Sequence, residues 1–193
     1  MLAELDWSTG RILDTLAELG LDSRTIVLFT SDNGPWLNMP PRMLPDDRVM
    51  PTDAGSPGPF RGAKATTWEG GVRVPFLARW PGRIPAGVVR DDVVTAMDVF
   101  ATVAGLARAA VPADRPVDGR DVWPVWTGAG TAPFDYFYYF NGTQLDGVRD
   151  RRWKLRWNGT GPDAKLELYD LLRDPSERYD VAASNPEMVN QFK

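Results

Sequence analysis

The spacing of apolar residues changes period partway along the chain. Over residues 3–19 the apolar positions Leu5, Ile12, Leu16 and Leu19 recur at helical spacing, which predicts an amphipathic helix. Gly20 follows where a helix end favours a left-handed residue. Ile26-Val27-Leu28-Phe29 is a short, continuous apolar run, the pattern of a strand buried on both faces in a parallel sheet. Helix followed at once by buried strand is half of a βαβ unit. A second strand is expected from about Val74 to Trp80, with Pro75 marking a start or an edge. Val93 to Thr95 reads as a further short strand. Asp98 to Leu106 reads as a helix that offers Val99, Thr102, Val103 and Leu106 for burial, with Asp98 as its cap.

Beyond residues 127–133, rich in Gly and Thr, the period shortens to that of strands. Asp135 to Phe140, Gln144 to Arg149, Arg152 to Trp157 and Leu166 to Leu171 are short and separated by turn residues, which predicts a four-stranded antiparallel sheet. Residues 185–193 read as the start of a helix. The organisation expected is an α/β domain over 1–126, a linker over 127–133 and an antiparallel subdomain over 134–193.

Composition narrows the chemistry. With 43% hydrophobic and 25% charged residues in 193, the chain has the balance of a packed globular protein. Its net charge of −4 and dispersed basic residues do not form the clustered patch that a nucleic-acid surface needs. No apolar run approaches the length of a membrane span. There is no histidine and no cysteine. That rules out a Ser-His-Asp triad, a thiol nucleophile and the usual zinc site from these residues alone. Any metal held here should be a hard cation bound through oxygen.

Where strand 26–29 ends, the chain reads Thr30-Ser31-Asp32-Asn33-Gly34. Ligands of open α/β sheets gather at the carboxyl ends of strands, so the chemistry is expected here. Residues 35–62 hold seven prolines and predict a long irregular loop. Taken alone, Asp-Asn-Gly is most often a turn, and Lys64 a solvated lysine. Glu69 and Arg73 read as structural, an ion pair holding the loop to the strand. Trp36 and Trp68 lie near enough in sequence to line a substrate cleft. Asn141-Gly-Thr143 and Asn158-Gly-Thr160 fit the short glycosylation pattern and carry little weight.

Five motifs in order resemble the arylsulfatase family. They are Thr25-Ile-Val-Leu-Phe-Thr-Ser-Asp-Asn-Gly-Pro35; Gly58-Pro-Phe-Arg-Gly-Ala-Lys64 with Thr67-Trp-Glu-Gly-Gly-Val-Arg-Val-Pro75; Arg79-Trp-Pro-Gly-Arg-Ile-Pro85; Met97-Asp98-Val-Phe-Ala-Thr102 with Asp118-Gly119; and Leu168-Tyr-Asp-Leu-Leu-Arg-Asp-Pro-Ser-Glu177. The resemblance implies the C-terminal part of an alkaline-phosphatase-like fold: a mixed, mostly parallel sheet flanked by helices, then the small antiparallel subdomain. It implies hydrolysis of sulfate esters, of small molecules or sulfated glycans. Asp32 and Asn33 match two of the family's calcium ligands, and Lys64 matches the lysine that contacts the substrate sulfate. The family's formylglycine nucleophile, formed in a Cys-X-Pro-Ser-Arg motif, is expected upstream, so this chain alone is expected to be inactive. Two alternatives stand beside this reading: a phosphodiester or phosphonate hydrolase of the same superfamily, and a non-catalytic fragment or pseudoenzyme. Related enzymes are periplasmic, secreted or lysosomal, which sets the expectation for compartment.

Overall fold

The computed structural model describes residues 2–37, 51–159, 161 and 163–193, with only the backbone of 51 and 52. Residues 38–50 of the long loop expected over 35–62, and Thr160 of the second glycosylation pattern, lie outside the described residues. The chain divides into two compact units, Met1–Thr30 with Pro75–Pro133, and Ser31–Val74 with Phe134–Lys193. Residues 31–74, read from the sequence with the N-terminal part, thus belong with the C-terminal sheet. No helix among the described residues is long and apolar enough to cross a membrane.

In the first unit, helix α1 runs Leu2–Glu18 and ends where Gly20 takes φ +64°. None of its residues is buried. Strand β1, Val27–Thr30, pairs antiparallel with β2, Phe76–Arg79, in the register Val27↔Arg79 to Thr30↔Phe76. The apolar run 26–29 pointed to parallel neighbours. Among the described residues β1 has β2 alone, and Phe29 and Thr30 remain exposed. The core gathers instead on one side, where Ile26, Leu28, Phe76 and Ala78 pack against Val122, Val125 and Trp126. The last two belong to α4, Trp123–Thr127, a short helix that the sequence pattern did not predict.

Helix α3, Ala96–Leu106, is fixed by two buried polar side chains one turn apart. Asp98 closes a capping box with Thr95, its Oδ2 accepting the Thr95 N–H at 2.6 Å. Its Oδ1 accepts the Arg120 N–H at 2.9 Å, and Thr102 Oγ1 accepts the Val122 N–H at 2.9 Å. Gly119 sits so close that a Cβ there would lie 2.0 Å from the Met97 carbonyl oxygen. Val93–Thr95 is no strand; it is the extended approach to the Thr95 cap, at φ −126° and ψ 161°. Residues 128–133 are tied down: Arg90 donates to the Gly130 carbonyl and the Ala132 N–H to Asp92.

The second unit is built on an antiparallel meander of β3 Phe137–Asn141, β4 Gln144–Arg149, β5 Trp153–Asn158 and β6 Lys165–Asp170. Its two faces differ. Val148, Leu155 and Leu168 stand opposite one another across three strands and bury against Val189 and Phe192, at α5, Pro186–Gln191, and its C-cap. The alternate row, Arg149 opposite Lys154 opposite Tyr169, with Arg156 opposite Glu167, forms the other face. The outer edge of β6 is covered, since Asp180 accepts the Leu168 N–H and the Val181 N–H donates to the Leu168 carbonyl.

Candidate functional site

The chain leaves β1 through a tight turn. Ser31 Oγ donates to the Asn33 carbonyl at 2.9 Å, and Asn33 Nδ2 donates to the Gly34 carbonyl at 2.9 Å. Asp32 is exposed and Asn33 half-buried. The next residue explains the glycine of the motif. Gly34 is buried, and a Cβ on it would stand 1.9 Å from the Gly70 carbonyl oxygen. Close approach of backbone, rather than a left-handed φ, demands glycine here.

The same rule accounts for Gly70 and Gly71 in the short helix α2, Glu69–Val72. A Cβ on Gly70 would lie 2.5 Å from the Arg61 carbonyl oxygen, and one on Gly71 would lie 2.3 Å from that of Thr66. Helix α2 is therefore pressed between the turn at Gly34 and the loop 61–66. Hydrogen bonds join the layers: Gly34 N–H to Gly71 O at 2.9 Å, Gly70 N–H to Arg61 O at 2.7 Å, and Lys64 N–H to Pro35 O at 2.9 Å. Asp32, Asn33 and Lys64 thus sit on two segments bonded to each other. Lys64 is half-buried, with Nζ 4.6 Å from the centre of the Trp36 ring. Ala65 beside it takes φ +70°, a left-handed strain that the bonded loop holds in place.

The loop is clamped against the charged face of the sheet. Lys154, 0% exposed, donates to the Thr67 carbonyl at 2.7 Å and lies 3.1 Å from Glu69 and 2.9 Å from Glu177. Glu177 Oε2 accepts the Glu69 N–H at 2.7 Å, and its backbone carbonyl accepts Arg61 at 2.9 Å. Arg149 completes the set, 3.1 Å from Glu69. Alongside, Arg156 donates to Thr67 Oγ1 and Asp146, and Thr67 Oγ1 donates to Asp146. Burial would push Glu69 up, but Lys154 and Arg149 outweigh it and hold its carboxyl below the ordinary value. For Glu177 burial wins over the pull of Lys154, and its carboxyl is raised.

Two family models match this architecture. One described as Sulfatase covers residues 1–109, and one described as N-sulphoglucosamine sulphohydrolase, C-terminal, covers residues 62–192. The chain belongs to the sulfatase family. Among its relatives, the N-acetylgalactosamine-6-sulfatase of Canis lupus familiaris is 43% identical over 215 aligned positions, taking in 97% of this chain and 39% of that protein. The steryl-sulfatase of Mus musculus is 38% identical over 205 positions, 91% of this chain and 32% of that protein. The crystal structure of PsFucS1 sulfatase from Pseudoalteromonas sp. superposes with a TM-score of 0.80 at 27% identity, over 98% of this chain and 39% of that one. The chain therefore spans roughly a third to two fifths of the length of these sulfatases, and its fold is the alkaline-phosphatase-like one that the motifs implied.

For this sulfatase-family chain the candidate ligands are hard oxygens. Asp32 offers a carboxylate, and Asn33 an amide oxygen whose companion nitrogen is the atom engaged by Gly34. Among the described residues no three His, Cys, Asp or Glu side chains gather as a metal cluster. The Asp32-Asn33 pair suits one part of an oxygen shell around a hard cation.

Two readings of single residues change. Glu69 is structural, but Arg73 is its long partner at 3.9 Å; its close partners come from β4 and β5. Trp68 has Arg61 and Arg156 guanidinium carbons 3.7 and 3.5 Å from its ring centre, too near for both to share a face, so the sandwiched indole offers no open face to a ligand. The clamp residues Arg149, Lys154 and Glu177 escaped sequence reasoning. For Lys154 the one signal was its alternation with Arg156 along β5, which reads equally well as a solvated face.

Proposed function

We propose that this chain supplies part of the metal and sulfate site of a sulfuric ester hydrolase of arylsulfatase type. In this reading Asp32 and Asn33 ligate calcium, and Lys64 receives the sulfate. The observation that carries the reading is the backbone join between the two motifs, Lys64 N–H to Pro35 O and Gly34 N–H to Gly71 O, both 2.9 Å. It holds a cation ligand pair and an ammonium group on one bonded scaffold, which is what binding an anionic ester beside a metal requires.

Calcium takes roughly six to eight oxygens, so the remaining ligands come from the bound ester and from residues outside this chain. When bound, the cation supplies charge that polarises a sulfuryl oxygen. The Lys64 ammonium does complementary work: it stabilises negative charge on the sulfuryl group and on the leaving oxygen. Its place above the Trp36 ring limits the directions Nζ can take, so less ordering remains on binding. The chain has no cysteine from which a formylglycine could form. The nucleophile is thus assigned to the rest of a longer enzyme, and the 193 residues alone turn over no ester. Relatives named for N-acetylgalactosamine-6-sulfate and for steryl sulfate support the sulfated class of substrate.

The test joins this chain to the preceding part of a sulfatase and compares turnover of an aryl sulfate with that of an aryl phosphate diester. The sulfate is expected to be preferred. Lys64→Ala should lower kcat/KM by about 10²–10³, the scale of removing one preorganised charge-stabilising group, and Asp32→Ala should lower the calcium content. Unchanged turnover and metal content in both variants would sink the assignment; preference for the diester would move it to phosphoryl chemistry.

A further inference from the structure

A cleft of about 440 Å³ lies between residues 58–61 and 176–178. Its two walls are sewn together. Ser176 Oγ donates to the Pro59 carbonyl at 2.6 Å, and Arg61 donates to the Glu177 carbonyl at 2.9 Å. The shape is therefore built into the fold of one compact unit. Phe60 lines it, half-buried, with the Arg73 guanidinium 4.7 Å from its ring centre.

The charge around this cleft is unbalanced. In the buried network Lys154 and Arg149 offset Glu69 and Glu177. Arg73 reaches Glu69 only at 3.9 Å, a carboxylate whose charge those two cations already meet. Arg61 bonds a neutral carbonyl and stacks on Trp68. Neither Arg61 nor Arg178 has a carboxylate partner among the described residues. The acids near Arg178 in sequence are engaged elsewhere: Glu177 by the Glu69 N–H and Lys154, Asp180 by Lys165 and the Leu168 and Ala182 N–H groups, and Asp174 Oδ2 by the N–H groups of Arg178 and Tyr179, both at 2.8 Å. Arg61 and Arg178 therefore line the cleft without a carboxylate partner, with Arg73 over the Phe60 ring of its wall, on a chain whose net charge is −4. Guanidinium forks are matched to sulfate and carboxylate, and the Phe60 ring gives the C–H face of a sugar an apolar surface. Arg61 lies three residues before Lys64, on the same loop.

We propose that this cleft is an anion subsite for an acidic glycan, taking a second sulfate or a carboxylate of the substrate through Arg61 and Arg178 while Lys64 receives the sulfate ester. In assigning the cleft to the substrate, the inference rests on the sulfatase reading. It favours a polyanionic sugar over a singly charged steroid ester as the substrate class.

The test is a titration of the isotopically labelled 193-residue chain with a heparin-derived tetrasaccharide, followed by amide NMR, beside the desulfated tetrasaccharide and sodium sulfate alone. The sulfated sugar should shift the signals of residues 58–62 and 176–179 saturably, and added salt should weaken it. Arg178→Ser should weaken binding about tenfold with an unchanged circular dichroism spectrum, as loss of one charge-assisted donor group implies. If the desulfated sugar binds as well, the group taken is the carboxylate; if it does not, the group is sulfate, and both results uphold the cleft. Shifts confined to other residues, no saturable shift, or equal affinity in Arg178→Ser would overturn it. Should that variant misfold, the map on the unmodified chain and Arg178→Gln decide. Failure here is separable from failure of the sulfatase reading, because turnover of a monosulfated aryl ester by the complete enzyme does not use the cleft.

Discussion

The two faces of the C-terminal sheet are built on opposite physical terms. On one, Val148, Leu155 and Leu168 meet Val189 and Phe192, and the contact is held by apolar burial. On the other, Arg149, Lys154 and Arg156 meet Thr67, Glu69 and Glu177 through hydrogen bonds and ion pairs of 2.7–3.1 Å. Burial is non-directional, so the first face tolerates small shifts of what lies on it. The second face does not, because each charge must find its partner or stay unpaired in a dry environment. It is the second face that holds the loop carrying Lys64. The comparison teaches why a buried charge cluster belongs next to a candidate site: it adds little net stability but fixes one position of the loop.

Removing one member of the cluster should have the largest effect. Lys154→Met would leave Glu177 with the Glu69 N–H alone, and the expected loss is about 4 kcal/mol, the scale for breaking a buried pair. Urea unfolding measures it. Adding Glu177→Gln to Lys154→Met should recover a large part, since the orphaned charge goes with it; no recovery would mean that packing of the lysine stem, not charge, dominates. On the apolar face Leu155→Ala should cost about 3 kcal/mol, from lost burial and the cavity left behind. The sharper contrast is local. Leu155→Ala should leave exchange of the Lys64 and Gly34 amide hydrogens near that of the parent when compared at equal global stability, whereas Lys154→Met should speed both.

How much of this was legible in the sequence follows the same division. The four strands of the meander were read to within two residues, because their alternation has period two and turn residues bound each one. The apolar triplet on that alternation, 148 with 155 and 168, could be named a core face. What covers the opposite face could not, since a strand with Lys154 and Arg156 on alternate positions looks the same under a loop as under water. Strands β1 and β2 were both found but their antiparallel pairing was not: an apolar run reports burial, not the direction of the neighbour. Helix α4 was hidden by its composition, two Trp, a Pro and a Val in five residues, which reads as irregular chain. Asp32, Asn33 and Lys64 were singled out by motif. That their segments touch, through glycines too close to carry a Cβ, appears only in three dimensions.

Those glycines give the next prediction. Gly34→Ala places a methyl 1.9 Å from the Gly70 carbonyl oxygen, where backbone and not a flexible side chain must give way. The expected loss is about 2 kcal/mol, within the range for overpacked sites, together with weakening of the Lys64 to Pro35 bond. Gly10→Ala is the control: its Cβ would meet nothing within 4 Å, and in mid-helix it should stabilise slightly. If Gly34→Ala proved as stable as the parent, the turn and α2 would not be pressed together, and the bonded scaffold of the candidate site would fall with that contact.

The smallest effect, and the most specific, lies in the pH dependence of the two buried glutamates. Glu69 is held below its ordinary value of 4.5 and Glu177 above the same value, although both face Lys154. A depressed carboxyl contributes stability that is present above 4.5 and is lost as pH falls through the folded-state value. A raised carboxyl does the reverse: the folded chain keeps its proton longer than the unfolded one, so stability declines as pH rises from 4.5 and levels off once the folded-state group has ionised. The difference in unfolding free energy between the parent and Glu177→Gln isolates the second term, because glutamine does not titrate. That difference should move against the parent as pH climbs from 4.5 and then flatten. For Glu69→Gln it should move toward the parent as pH climbs to 4.5 from below. A flat difference for Glu177→Gln, or one of the opposite sign, would show Glu177 to be ionised as readily as a free carboxylate, and the Lys154 cluster would then be an ordinary ion pair on a hydrated face.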